Sequence, residues 1–508
     1  MRRQLLAKWI SVACWQDSLE SLFSRSQALN GKRQERKARS MKVKFAFCLL
    51  TAVLVSTPIS LNAQSSKAQL WLTNADRTAL FQKQNHAFRF STAAEPHPTI
   101  EIHDIQTFQT MDGFGFALTW GSAQHLYHMV PAKRNALLKE LFAARGKGIG
   151  ISYLRVSIGA SDLNQYVYSY DDVPVGQNDP AMAKFSLSED RKYVIPILKA
   201  ILKINPDIKI LGSPWSAPAW MKTNGSVKGG NLKPEYYEAY AQYFVRYIQG
   251  MMAEGIPIDA ITIQNEPLNE KNTPSMQLLA PDEAIFIEDH LGPAFRSAGI
   301  STKILLYDHN CDHPEYPISI LKDPLANPFV DGTAFHLYGG DISAMSSVHD
   351  DYPAKNLYFT EYMAVERSDT PTLLIAKHVS GTVIGAVRNW SRNVLLWNLA
   401  ADSKFEPHTD NGGCPICQGA LTIDGNTVAR NLAYYTIAHF SKFVRPGSVR
   451  IGSDSTDTLP CVAFQVTSRR IVLVVANTTG SPQTFNVRYH DKLFTAALQG
   501  GAVGTFVW

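Results

Sequence analysis

The sequence predicts an α/β protein, a (β/α)8 TIM barrel with a small antiparallel β-sandwich side domain built from both chain ends. Three observations lead there. Eight short apolar runs recur between residues 113 and 400, and stretches of helical periodicity separate several of them. No Gly-rich dinucleotide turn follows any run, which disfavours an open doubly wound sheet. Near both ends, apolar and polar residues alternate between turn residues, without helical period.

The first 63 residues stand apart from that globule. Met41 opens MKVKFAFCLLTAVLVSTPISLNAQ, with Lys42 and Lys44 as a positive start, Phe45 to Val55 as an apolar stretch, and Ala63 as a small residue at a cleavage position. Residues 41–63 are expected to be a signal peptide, too short for a membrane anchor, and residues 1–40 an over-extended start, with a real cytoplasmic extension as the alternative. The expected protein is therefore exported, periplasmic or secreted after cleavage near Ala63, with no integral membrane segment in the mature chain. Those 63 residues carry eleven Lys/Arg and three Asp/Glu, so the overall charge of +5 becomes −3 without them. The basic balance belongs to the precursor and gives no reason to expect nucleic acid as a partner. With 508 residues, 45% hydrophobic and 18% charged, the chain has ample material for a large core.

Residues 66–105 (AQLWLT, TIEIHDI) form the N-terminal part of the expected β-domain, residues 106–440 the barrel, and residues 443–508 (SVRIGS, CVAFQVT, RIVLVVANTT, TFNVRYH, GTFVW) the C-terminal part. The eight barrel runs are GFGFALTW (113–120), ISYLRVSIGA (151–160), IKILGSPWSAP (208–218), DAITIQNEP (259–267), KILLYDHN (303–310), GTAFHLY (332–338), NLYFTEYM (356–363) and NVLLWNLA (393–400). Two intervening segments, KPEYYEAYAQYFVRYIQGMMAEG and PDEAIFIEDHLGPAFRSAG, each place Gly just beyond their last apolar position, as a helix C-terminus requires.

Polar residues at the C-terminal ends of barrel strands are candidates for chemistry. They are Asp162 after the second run, Trp215 after the third, Asn265 and Glu266 after the fourth, His336 and Tyr338 at the sixth, Glu361 at the seventh and Trp397 at the eighth. Two glutamates facing each other across a cleft can break a glycosidic bond, one as proton donor and one as nucleophile. Aromatic faces stack on sugar CH surfaces while carboxylates and amides take hydroxyls. Metal sites need more His or Cys, and phosphate sites need Lys, Arg or Gly-rich backbone, so no metal or organic cofactor is expected. Arg155, interior to a strand, reads as a partner holding a carboxylate. Cys414 and Cys417 in NGGCPICQG read as a disulfide stapling a loop, since no second ligand pair lies at zinc spacing.

The chain resembles glycoside hydrolase family 30, the family of glucosylceramidases and β-1,6-glucanases. The motifs are QTMDGFGFALT (109–119), YLRVSIGASD (153–162), LGSPWSAPAWMKTNG (211–225), ITIQNEP (261–267), FHLYGG (335–340), the glutamate of FTEYM, and LLWNLA (395–400). The resemblance implies a retaining mechanism with Glu266 as acid/base and Glu361 as nucleophile. It also implies that Asp162, Trp215, Asn265 and Trp397 hold the sugar. His336 is left between orienting the nucleophile and filling the barrel mouth. Two departures stand out: Trp120 follows Thr119 where many relatives carry an acid, and Tyr362 follows the nucleophile where a small residue is usual. Both are expected to reshape the rim.

The expectation is an exported retaining β-glucosidase-type hydrolase acting on a β-glucoside or β-glucan. Glucosylceramide and β-1,6-glucan are both candidate substrates, and the acidic mature chain, without a basic cluster or spare amphipathic helix, favours the glucan. The alternatives are a β-xylosidase or xylanase of the same family, and a non-catalytic carbohydrate-binding protein on the same fold.

Overall fold

The computed structural model describes residues 67–93, 96–366, 372–466 and 470–508. The signal and start-codon expectations for residues 1–63 lie outside the described residues. Three strands open the described chain, β1 (Lys67–Thr73), β2 (Gln82–Arg89) and β3 (Thr99–Thr110). Eight more follow: β4 (Gly113–Ala117), β5 (Tyr153–Ser157), β6 (Lys209–Ser213), β7 (Ala260–Thr262), β8 (Lys303–Cys311), β9 (Val330–Gly340), β10 (Asn356–Glu361) and β11 (Ser391–Leu396). These eight close on themselves in the order β10-β11-β4-β5-β6-β7-β8-β9, and every pairing is parallel. Each expected barrel run overlaps one of them.

Such strands are buried on both faces, one by helices and one by the barrel interior, which is why they read as continuous apolar runs. The interior is a packed layer of Tyr153, Leu211, Ala260, Leu305, Ala334, Tyr358 and Leu395. Gly115 allows β4 and β5 to approach, since a Cβ there would collide with the Tyr153 carbonyl oxygen.

The first of the two patterned segments forms a helix over Tyr237–Ala253, burying Tyr240, Tyr243, Phe244, Tyr247 and Met251 at three- and four-residue intervals. Gly255 then takes φ +78°, the left-handed conformation that ends it. The second departs from a plain helix. It runs Ala280–Ile285, widens into π geometry over Phe286–Leu291, and resumes at Gly292–Ser297. Pro293 has no N–H to return to the preceding turn, which accounts for the widening just before it.

A three-stranded sheet of β12 (Ala400–Ala401), β13 (Leu421–Asp424) and β14 (Thr427–Arg430) follows the barrel. The last strands are β15 (Val449–Ser453), β16 (Cys461–Val466), β17 (Arg470–Ala476), β18 (Gln483–Tyr489), β19 (Lys492–Leu498) and β20 (Val503–Val507). With β1–β3 they make one nine-stranded sheet in the order β19-β18-β3-β15-β16-β17-β20-β1-β2. Its two edges meet again through the Ser91–Leu493 bridge, so the sheet folds over its own core as a sandwich. One pairing differs from the antiparallel expectation: β3 and β18 run parallel. They come from opposite ends of the chain, so no hairpin dictates their relative direction.

The buried helix Leu432–Ser441 sits between barrel and sandwich. Phe440 packs 5.4 Å from Phe114 of β4 and 6.4 Å from Phe464 of β16, ring centre to ring centre. Its His439 hydrogen-bonds Thr505 Oγ1 and Thr73 Oγ1, both at 2.8 Å.

Candidate active site

The site lies at the C-terminal ends of the barrel strands, where the backbone is forced into unusual shapes. Glu266, Tyr307, Asp308 and Asn398 all adopt positive φ, at 47°, 72°, 52° and 63°. Non-glycine residues hold such conformations only where surrounding bonds over-determine them. Here the Glu266 N–H donates to Asp308 O at 3.0 Å and the Asn265 N–H to Pro214 O at 2.7 Å. The strained turns lift Glu266 from the short β7 into the barrel mouth.

Arg155, on β5, is fully buried and ties the mouth together. Its Nη1 donates to Glu361 Oε2. Its Nη2 donates to Asn265 Oδ1 at 2.6 Å, Asp308 Oδ2 at 2.7 Å and Ser213 Oγ at 3.1 Å. Its guanidinium lies 4.8 Å from the centre of the Trp215 ring. Asp308 also accepts from Thr262 and Thr360 hydroxyls at 2.8 and 2.6 Å. His336 bridges two carboxylates, with Nδ1 3.2 Å from Glu266 Oε1 and Nε2 3.1 Å from Asp308 Oδ1. Tyr338 donates to Glu361 Oε1 at 3.0 Å, and Asn269 to Glu266 Oε2 at 2.7 Å. One ligand atom from each of Glu266, His336 and Glu361 falls within 4.8 Å of the other two.

The charges follow from these contacts. Burial works against the His336 imidazolium, but the Glu361 charge and the bonds to Asp308 and Glu266 win, raising it to about 9. Burial likewise opposes ionisation of Glu266, yet the His336 bond and charge bring it down to about 2. Glu361 moves the other way: burial and the Glu266 charge raise it above its ordinary value despite His336 and Arg155. Asp308, desolvated but held by Arg155 and His336, stays well below the carboxylate range. Burial and the two glutamate charges push Asp162 well above it. Glu266, Glu361 and Asp308 thus face two buried cations, Arg155 and His336.

A metal could in principle reach Glu266, His336 and Glu361, but both imidazole nitrogens already face carboxylates, and an imidazolium has no lone pair for a metal. The donor set therefore suits a proton and not an ion.

A pocket of about 740 Å³ opens over the two glutamates, lined among others by Asp162, Glu266, His309, Tyr338, Glu361 and Trp397. Of the expected sugar-holding residues, Asp162, Tyr338 and Trp397 stand on its wall, and Asp162 Oδ1 has no partner among the described residues. Asn265 spends its oxygen on Arg155. Trp215 lies behind Trp397, ring centres 5.5 Å apart, and His336 is wholly buried beneath the glutamates. Cys414 and Cys417 are joined in a disulfide, and Cys417 packs in one cluster with both tryptophans. Trp120, expected at the rim, is instead buried as the first residue of the helix Trp120–His128, against Tyr166 and Tyr193. Tyr362 packs on Tyr338, 5.5 Å between ring centres. Sequence reasoning passed over Asp308 and His309, although an acid ending an apolar run was the signal that singled out Glu266.

A closed parallel barrel with paired carboxylates at the mouth of a pocket that also carries Tyr338 and Trp397 is the arrangement of a glycoside hydrolase. The comparisons agree. Residues 111–444 match the glycosyl hydrolase family 30 TIM-barrel domain, and residues 447–506 the family 30 beta sandwich domain. The chain belongs to glycosyl hydrolase family 30. It is 37% identical over 352 residues to an endo-1,6-beta-D-glucanase of Neurospora crassa, covering 67% of this chain and 72% of that one. It is 28% identical over 440 residues to the lysosomal acid glucosylceramidase of Mus musculus, covering 80% and 83%. A solved endo-beta1,6-glucanase superimposes with a TM-score of 0.80 at 35% identity, covering 87% of this chain and 99% of that one.

Proposed function

We propose that this enzyme is an exported, retaining β-1,6-glucanase that works by double displacement. In the first step the Glu361 carboxylate attacks the anomeric carbon, the glycosidic bond breaks, and the departing oxygen takes its proton from Glu266. In the second, Glu266 removes a proton from water as the water oxygen attacks the same carbon, and Glu361 leaves as a carboxylate. Arg155 and Tyr338 hold Glu361 in line. The close approach of the two glutamates supports retention, since inversion needs carboxyl groups about 6.5–9.5 Å apart to admit a water.

One observation carries the choice of glucan. The pocket wall continuous with Glu266, where the leaving group departs, is built from Leu268, Asn269, Glu270, Lys271, Asn272 and Asn310, polar in all but one position. A ceramide would meet a largely polar wall there, whereas a second sugar finds hydrogen-bond partners. The resemblance to endo-1,6-glucanases points the same way. No helix among the described residues is long and apolar enough to cross a membrane. Comparing kcat/KM on β-1,6-gluco-oligosaccharides with that on detergent-dispersed glucosylceramide tests the reading. A higher value on the lipid overturns the substrate assignment and leaves the mechanism intact.

A further inference from the structure

Among the described residues, His309 is a buried imidazole of the barrel mouth that neither bonds a glutamate nor takes part in the double displacement. It follows Asp308 on β8, and its side chain lines the pocket although the residue is only 7% exposed. Its Nδ1 is closed off and has no hydrogen-bond partner among the described residues. Nε2 also makes no hydrogen bond among the described residues but is not closed off, so it is the nitrogen of this pocket-lining ring that is open to a ligand. A bare lone pair is tolerated better than a bare N–H, which assigns the proton to the other nitrogen, Nε2. Burial holds the ring neutral at pH 7, with its value lowered to about 4. His309 is therefore a neutral N–H donor.

The position identifies what it meets. The Glu266 backbone N–H donates to the Asp308 carbonyl, Glu266 and His309 line the same pocket, and the His309 ring lies near enough for the Glu266 charge to act on it. Asn310, next in sequence, and the Leu268–Asn272 loop continue the same wall. Resting on the assignment of Glu266 and on the glucan reading, we infer that His309 is a specificity-determining residue that donates a hydrogen bond to an oxygen of the leaving sugar. It selects a polyhydroxylated leaving group over an apolar one, because an apolar aglycone leaves the Nε2–H facing it unpaired.

The test compares two substrates that share the glucosyl group and differ in what departs, a β-1,6-linked gluco-oligosaccharide and an aryl β-glucoside. In His309→Phe, the ratio of kcat/KM for the oligosaccharide to that for the aryl glucoside should fall by about tenfold or more. His309→Gln, which keeps an N–H donor, should recover part of that ratio, a rescue that a purely structural role would not produce. If His309→Phe fails to fold, His309→Gln and His309→Leu are compared by the same ratio. Equal losses on both substrates in wild-type-like folded variants overturn the role of His309 alone. A wild-type enzyme inactive on the oligosaccharide but active on the aryl glucoside overturns the glucan reading and this inference with it.

Discussion

Arg155 Nη2 donates to Asn265 Oδ1 at 2.6 Å while Nη1 of the same guanidinium holds Glu361, so one buried cation orients both sides of the cleft. The amide beside Glu266 and the carboxylate opposite cannot move independently. Only a planar fork with donors in two directions makes this link, so lysine is no substitute.

Arg155→Met should therefore damage both stability and turnover. It leaves Asp308 and Glu361 buried without their cation, and breaking a buried ion pair from one side costs about 3–5 kcal/mol. The expected outcome is a clearly lowered thermal midpoint together with a loss of kcat of about 10²-fold or more in the folded fraction. Denaturant unfolding and kinetics on the same preparation check it. An unchanged midpoint contradicts the ion-pair account.

On the proposed mechanism, Glu361→Gln removes the nucleophile at nearly constant volume. Turnover should drop by roughly 10⁴-fold or more with the fold intact. Glu266→Ala should lose about 10²–10⁴-fold toward poor leaving groups and far less toward activated aryl glucosides. Azide should restore turnover of this variant and yield a β-glucosyl azide. An α-configured azide would contradict retention.

How much of this was legible in the sequence depends on the range of the interaction that decides each feature. The eight barrel strands were readable because burial on both faces writes itself into local apolar runs such as KILLYDHN. Glu266 and Glu361 were readable for the same reason, as acids ending those runs. Asp308 ends one too, but its importance lies in five partners scattered from Arg155 to Thr360, and no local signal announces them. The placement of Trp215 behind Trp397 is likewise a contact across about 180 residues. The parallel pairing of β3 with β18 joins opposite chain ends, so only the folded sheet reveals it. The π segment at Phe286–Leu291 was foreshadowed by Gly292 and Pro293, though the periodicity there reads as a plain helix.

Thiol chemistry offers a separate check. Among the described cysteines, Cys414 and Cys417 are bridged, while Cys311 and Cys461 are free but buried. Burial pushes the latter thiols up to about 12 and about 11, so little thiolate exists at neutral pH. Native protein should resist alkylation without reductant. Mild reduction should then expose two reactive thiols by intact mass. Stoichiometric zinc with free thiols at 414 and 417 is the result that excludes the bridge. N-terminal sequencing of the same material should begin near Gln64, and a mature form that retains residues 1–40 rules out the proposed export signal.

The pH profile reads the coupling of the two glutamates directly. The proposed first step needs Glu361 ionised and Glu266 protonated, while the resting site favours the reverse, with Glu266 held at about 2 and Glu361 raised. Both arrangements carry one proton on the pair, so kcat/KM should follow the singly protonated state. The resulting bell has its acid limb near the lower value and its alkaline limb above the ordinary glutamate range, and its apparent values belong to the pair. The optimum is therefore acidic. His336→Gln removes the cation that stabilises both carboxylates. Losing a positive neighbour raises a carboxyl pKa, so both limbs should move to higher pH while the maximum falls by about tenfold or more. A variant bell at unchanged pH means that His336 is neutral in the working enzyme, and a shift to lower pH contradicts the charge assignment altogether.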